Sequence, residues 1–215
     1  MMKRTVPLLL FACCLPVVYA GYADGLISAG EYEWQVDWLV GTLVVDGGGA
    51  DRIEARDFSQ VEVRSTSAPL GTGVGGIMDL VLKYNSHLDY YGGETEELTV
   101  RMDAMAHLYG GRIDGISSFQ YATTEHVFIY AREGWSWNYE AGKIRGITGL
   151  WYDGDPFSIR FTTLGESFGA DPVWKNVKVI TPEPATLLLM ALGGVLLRRG
   201  HRADGHGGKM GLLRG

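Results

Sequence analysis

Leu82-Lys-Tyr-Asn-Ser-His-Leu-Asp-Tyr-Tyr-Gly-Gly-Glu94 returns eighteen residues later as Val100-Arg-Met-Asp-Ala-Met-Ala-His-Leu-Tyr-Gly-Gly-Arg112. The apolar sites Leu82/Val100, Tyr84/Met102, Leu88/Ala106 and Tyr90/Leu108 coincide, as do a polar turn at Asn85/Asp103 and the double glycine. A weaker copy runs through residues 53–63, where Ile53, Ala55, Val61 and Val63 take the apolar sites with a one-residue slip near Asp57. Strand, polar corner, strand, Gly-Gly corner is the sequence form of a solenoid coil whose turns pair about 4.8 Å apart. Glycine suits such a corner because it reaches positive φ without a Cβ clash. Successive hairpins of a sandwich would also alternate and turn on glycine. The expected fold is all-β, a short right-handed parallel β-helix or β-solenoid-like stack, with a β-sandwich as the alternative.

The surrounding chain supports strands. Short alternating runs rich in Val, Ile, Thr and aromatics lie at residues 38–45, 53–56, 61–64, 77–84, 98–102, 126–131, 157–162 and 173–180. They are separated by Gly, Asn and Asp clusters, and no sustained helical period interrupts them. Asp46-Gly-Gly-Gly-Ala-Asp51 and Asp153-Gly-Asp-Pro156 read as tight turns rather than metal loops. A solenoid needs caps at its ends. Trp34 and Trp38 upstream, and an aromatic-rich capping region from Trp135 to Trp174 downstream, can supply them.

Stacked coils place outward residues in columns. In the repeat's register Glu62, Asp89 and His107 share one column, Glu94 and Arg112 another, Lys83 and Arg101 a third, and the Tyr91 and Tyr109 rings stack. The first column and the tyrosine pair form the candidate ligand site, since carboxylates beside an imidazole can bind a cation or transfer protons. The competing reading makes Asp89 and His107 a solvated cross-strand pair. No Gly-x-Ser-x-Gly elbow, His-Glu-x-x-His or phosphate loop is present, and the histidines lack ligand spacing. The sequence therefore calls for no catalytic residue, no metal and no cofactor.

Both ends of the chain carry a different kind of information. Lys3 and Arg4 precede an apolar run that closes at Val18-Tyr19-Ala20, the layout of a secretory signal peptide over residues 1–20. Cys13 and Cys14, the two cysteines, fall inside that leader, so the exported body must hold together by packing alone. The body, residues 21–180, has 12 basic and 23 acidic side chains, a net charge of −11. Nucleic acid and anionic lipid both demand extended cationic surfaces, and this balance argues against them as partners.

At the far end stands Thr181-Pro-Glu-Pro-Ala185, then an apolar run to Leu197 and a basic stop at Arg198 and Arg199. The prolines hold the start extended. Thirteen apolar residues make a helix of roughly 20 Å, shorter than the roughly 20 residues of an ordinary span. Hydropathy leaves a short amphiphilic tail or a buried helix open. Pro182, Glu183 and Pro184, the apolar segment and Arg198-Arg199 together resemble the PEP-CTERM sorting signal of exported bacterial proteins. That resemblance implies a C-terminal hydrophobic helix and a sorting or transmembrane segment over residues 181–202, followed by a disordered tail at residues 203–215. It also implies the secretion machinery and an exosortase-like processing enzyme as partners, with attachment to the inner membrane before cleavage. The expected destination is the cell surface or extracellular matrix. The expected role there is non-catalytic and structural or adhesive. The alternative is a polysaccharide-binding module or a polysaccharide-active enzyme on a β-solenoid, with extracellular polysaccharide as partner.

Overall fold

The computed structural model describes residues 24–67, 76–121 and 124–181. Contacts group the described residues up to Val179 as one compact unit. The described residues carry the strands β1 (Gly25–Ser28), β2 (Tyr32–Trp38), β3 (Thr42–Ala55), β4 (Gln60–Thr66), β5 (Ile77–Leu82), β6 (His87–Tyr90) and β7 (Glu94–Arg101). They continue as β8 (Met105–Leu108), β9 (Arg112–Phe119), β10 (Val127–Tyr130), β11 (Ser136–Glu140), β12 (Lys143–Leu150), β13 (Pro156–Phe161) and β14 (Val177–Ile180). Two short 3-10 turns, Glu166–Phe168 and Val173–Asn176, are the described helical elements. No helix among the described residues is long and apolar enough to cross a membrane. The expected C-terminal helix lies outside the described residues.

The architecture is a β-solenoid of about five turns. On one sheet β1, the first half of β3, β4, β6, β8 and β10 pair in parallel. On the opposite sheet β2, the second half of β3, β5, β7 and β9 do the same. Parallel pairing with the next coil excludes the sandwich, whose hairpins would pair antiparallel. Leu43, Val61, Leu88, Ala106 and Val127 lie in one inward column, faced by Val36, Ile53, Leu80, Leu98 and Ile116 from the other sheet. All ten are buried, so the core is a set of stacked aliphatic rows running the length of the solenoid. Removing such area from water is the main driving force, at roughly 25 cal/mol per Å².

The eighteen-residue period extends further than the sequence shows at first sight. Leu43 pairs with Val61, eighteen residues on, so β3 belongs to the same repeat. Val61 pairs with Leu88, twenty-seven on, because the connection from β4 to β5 is longer than its counterparts. Four sequence expectations are corrected here. Tyr84 and Met102 are not inward apolar sites: they are 44% and 49% exposed and sit at corners with φ of 60° and 58°. Asp57 occupies the same corner at φ 58°, and since Ala55 pairs with Leu82 there is no slip beside it. Asp46-Gly-Gly-Gly-Ala-Asp51 does not end a strand; it bends β3 from one sheet to the other, with register shifts at Asp46 and Gly48. Residues 38–45, expected as one strand, are cut by a corner between Trp38 and Thr42.

The ends are closed differently. At the start Trp38 is buried and its indole N–H donates to the Gly41 carbonyl at 3.1 Å, whereas Trp34, expected to cap, is 70% exposed. At the other end the chain abandons parallel coils. Strands β11, β12 and β13 form an antiparallel meander that joins β9. Trp151, fully buried, packs on Phe157 and donates its indole N–H to Gly111 O at 2.9 Å, tying the cap to the last Gly-Gly corner.

Those corners hold the coils together. Gly93 and Gly111 have φ of 94° and 77°. A Cβ on Gly93 would stand 2.8 Å from the Thr66 backbone nitrogen in the coil below. Gly93→Ala should therefore cost about 2–3 kcal/mol, combining backbone strain with a lost close approach. Gly134→Ala, also at positive φ (95°) but with nothing within 4 Å, should cost only about 1 kcal/mol. Chemical denaturation of both variants checks this, and equal losses would refute the steric role of the corner.

Candidate functional site

The expected column forms. Parallel register places Glu62 of β4, Asp89 of β6 and His107 of β8 side by side on the outer face of the first sheet. Phe128 of β10 is next in the row. Tyr91 and Tyr109 stack as anticipated, with centroids 4.9 Å apart and planes within 9°. Tyr130 extends this second row, 4.4 Å from Tyr109. Such ladders follow from the solenoid itself: coils about 4.8 Å apart bring equivalent rings to offset-stacking distance.

The polar contacts differ from the sequence reading. Asp89 and His107 do not pair. Asp89 accepts from Gln60 Nε2 at 3.1 Å and lies 3.5 Å from His87 Nε2 on its own strand. His107 directs Nδ1 to the Tyr130 hydroxyl at 2.9 Å and stacks on Phe128 at 4.7 Å, with His87 at 4.9 Å on its other side. Glu62 accepts from Arg64 Nε at 2.8 Å. Gln60, Arg64, His87, Phe128 and Tyr130 therefore belong to the face and were missed. The signal was legible: Ala106-His-Leu-Tyr109 and Val127-Phe-Ile-Tyr130 share an apolar, aromatic, apolar, tyrosine pattern. An irregular spacing of twenty-one residues hid it.

The other two columns are structural. Arg112 turns to Asp114 at 2.8 Å and keeps Glu94 at 3.9 Å. Lys83 reaches back to Glu54, and Arg101 lies over the Phe119 ring at 4.2 Å. No group of three or more His, Cys, Asp or Glu side chains able to hold a metal occurs among the described residues.

Chemically the face is aromatic along one row and polar at one end. Tyr91, which ends the tyrosine row, is 50% exposed. Burial raises the Tyr91 and Tyr109 phenols above their ordinary value, with nearby acids and, at Tyr109, the Tyr130 hydrogen bond adding to it, so both rings are neutral hydroxyl donors. The sorting residues Pro182, Glu183, Pro184, Arg198 and Arg199 lie outside the described residues. The comparison that bears on them is a family model: the PEP-CTERM protein-sorting motif matches residues 181–202. That stretch is a PEP-CTERM sorting motif. It marks an exported protein sorted through an exosortase and implies membrane anchoring before processing. No curated protein and no solved structure matches the chain.

The His107 imidazole gives the face a pH response. Burial, then the neighbouring His87, hold its pKa below the ordinary 6.5, against a smaller opposing pull from Asp89. Since the folded state binds this proton less readily than the unfolded one, the neutral ring's contribution is complete above about 6.5 and is lost as pH falls below it. The measured stability of His107→Phe, which keeps the stack, should thus fall less between pH 7 and pH 5 than that of the unaltered protein. Parallel slopes in thermal unfolding would sink this assignment.

Proposed function

We propose that this is an exported cell-surface or extracellular-matrix protein with a non-catalytic structural or adhesive role, holding extracellular polysaccharide on the tyrosine-histidine face. The observation that carries the reading is the placement of Tyr91. It ends a ladder of stacked rings, is half exposed, and lies beside Glu62, Arg64 and Asp89. The C–H face of a pyranose packs on an aromatic ring while its hydroxyls donate to carboxylates and accept from a guanidinium. A ladder of rigid rings presents that surface with little entropy to lose on binding. The PEP-CTERM motif supports the destination, and the ladder supports the ligand.

Two experiments test the two halves. Deleting residues 182–199 should abolish delivery to the surface or matrix in an exosortase-bearing host; unchanged fractionation would overturn the destination. Tyr91→Ala should weaken retention on immobilised matrix polysaccharide roughly tenfold, the size of a lost aromatic contact of about 1.5 kcal/mol. Asp89→Asn should weaken it less, since a neutral acceptor remains. Full retention by Tyr91→Ala would remove the face from consideration.

A further inference from the structure

The outer face of the second sheet ends in a cleft that the tyrosine-histidine face does not use. One register row crosses this sheet as Gln35, Arg52, Asp79, Glu97, Gly115, Arg160, Gly146 and Asn138, running from β2 to the cap. Gly115 and Gly146 stand on either side of Arg160. Neither position has room for more: a Cβ at 115 would overlap the Glu97 carboxylate, and one at 146 would stand 2.5 Å from Ile159 O. Beside Arg160 and Gly146 lies a cavity of about 400 Å³ lined also by Asp114, Asn138, Glu140, Arg145 and Ser158. That volume suits a small polar ligand.

Charge accounting in the cleft leaves two groups without a hydrogen-bonded or ion-paired partner among the described residues, Arg160 and Glu140. Asp114 is held by Arg112 at 2.8 Å, and Arg145 by Glu166 at 2.7 Å. Arg160 makes no hydrogen bond or ion pair among the described residues, and its side chain is exposed to the cavity. Glu97, the nearest acid in the row, is turned toward Ser117, whose hydroxyl donates to it and is itself 2.8 Å from Thr162 Oγ1. Burial raises the Glu97 carboxyl above its ordinary pKa, and Asp79 and Glu96 add to that against the opposing Ser117 bond and Arg160 charge. A guanidinium without a protein partner is a fork for a carboxylate.

We propose that this cleft binds a hexuronic acid residue of an acidic polysaccharide, with the sugar carboxylate on Arg160. The other lining groups decide between anions. Glu140 and Asp114 would repel a doubly charged phosphate about twice as strongly as a single carboxylate, and they accept hydrogen bonds from sugar hydroxyls, as do Asn138 and Ser158. A single carboxylate surrounded by hydroxyls meets one cation and several acceptors. An adjoining cavity of about 360 Å³ shares Arg145 and is lined by Tyr139 and Trp174, a stacking surface for the next sugar. The site lies on the sheet opposite Tyr91, so it borrows only the ligand class from the function proposed above. Two glycan sites on opposite faces would let one molecule bridge two chains.

The test is titration calorimetry on the purified full chain with oligomers of galacturonic, glucuronic and mannuronic acid. Each is compared with the same oligomer reduced at its carboxyls, and with acetate. At least one hexuronate oligomer should bind, with its reduced form and the Arg160→Met variant each at least tenfold weaker. Arg160→Lys, which keeps the charge and loses the fork, should fall between, and unchanged thermal unfolding of both variants confirms an intact cleft. Tyr91→Ala should leave this binding unaltered. No hexuronate binding by the unaltered protein, equal binding of the reduced oligomer, or competition by acetate at equal concentration would each overturn the assignment. Loss through Tyr91→Ala with Arg160→Met unaffected would overturn it too, while leaving the first face in place.

Discussion

The close approach of one coil to the next at the Gly-Gly corners is the constraint on which the rest of the molecule depends. A Cβ at Gly110 would stand 2.5 Å from Tyr91 O in the coil below, so the chain can turn there only without a side chain. With the corners pinned, each strand pairs in parallel with its counterpart, and every residue acquires a neighbour of equivalent position above and below it. Inward, this stacks aliphatic side chains into continuous buried rows. Outward, it stacks whatever the repeat carries, which is how four coils contribute to a single tyrosine-histidine face.

A repeat carries a penalty that this chain handles locally. Equivalent positions tend to hold similar charges, and a solenoid brings them within one coil spacing. Lys83 would face Arg101, yet Lys83 reaches Glu54 while Arg101 lies over Phe119. Glu62 and Asp89 are neighbours, and Arg64, Gln60 and His87 take up their oxygens. The strongest case is Glu54, nearly buried among Arg52, Arg56 and Lys83. Burial works to raise its pKa, but hydrogen bonds from Lys83 and Arg52 and the surrounding cations outweigh it and hold the carboxyl down at about 2. That carboxylate stays charged through the whole working range of pH. Where the compensation stops, at Arg160 beside two glycines, a cleft opens.

Much of this was legible in the chain. The eighteen-residue return of residues 82–94 led to parallel coils, and it placed Glu62, Asp89 and His107 in one row and Tyr91 on Tyr109. The limits of that reading have physical causes. Tyr84 and Met102 look apolar, and only the backbone shows them at left-handed corners facing water. Asp89 and His107 are register neighbours, but Tyr130 competes for the imidazole and His87 for the carboxylate. Tyr130 entered the face through a coil of irregular length, which no fixed period detects.

Sorting and coil geometry are local properties: a Pro-Glu-Pro with its apolar run and basic stop, and glycines at a fixed interval, are each readable within about twenty residues. The surfaces are not local. The cleft at Arg160 unites β9, β11, β12 and β13, and it exists only when an antiparallel cap docks on a parallel coil. Which charges remain without a partner depends on every neighbour in three dimensions, and that sum is made only by the folded chain.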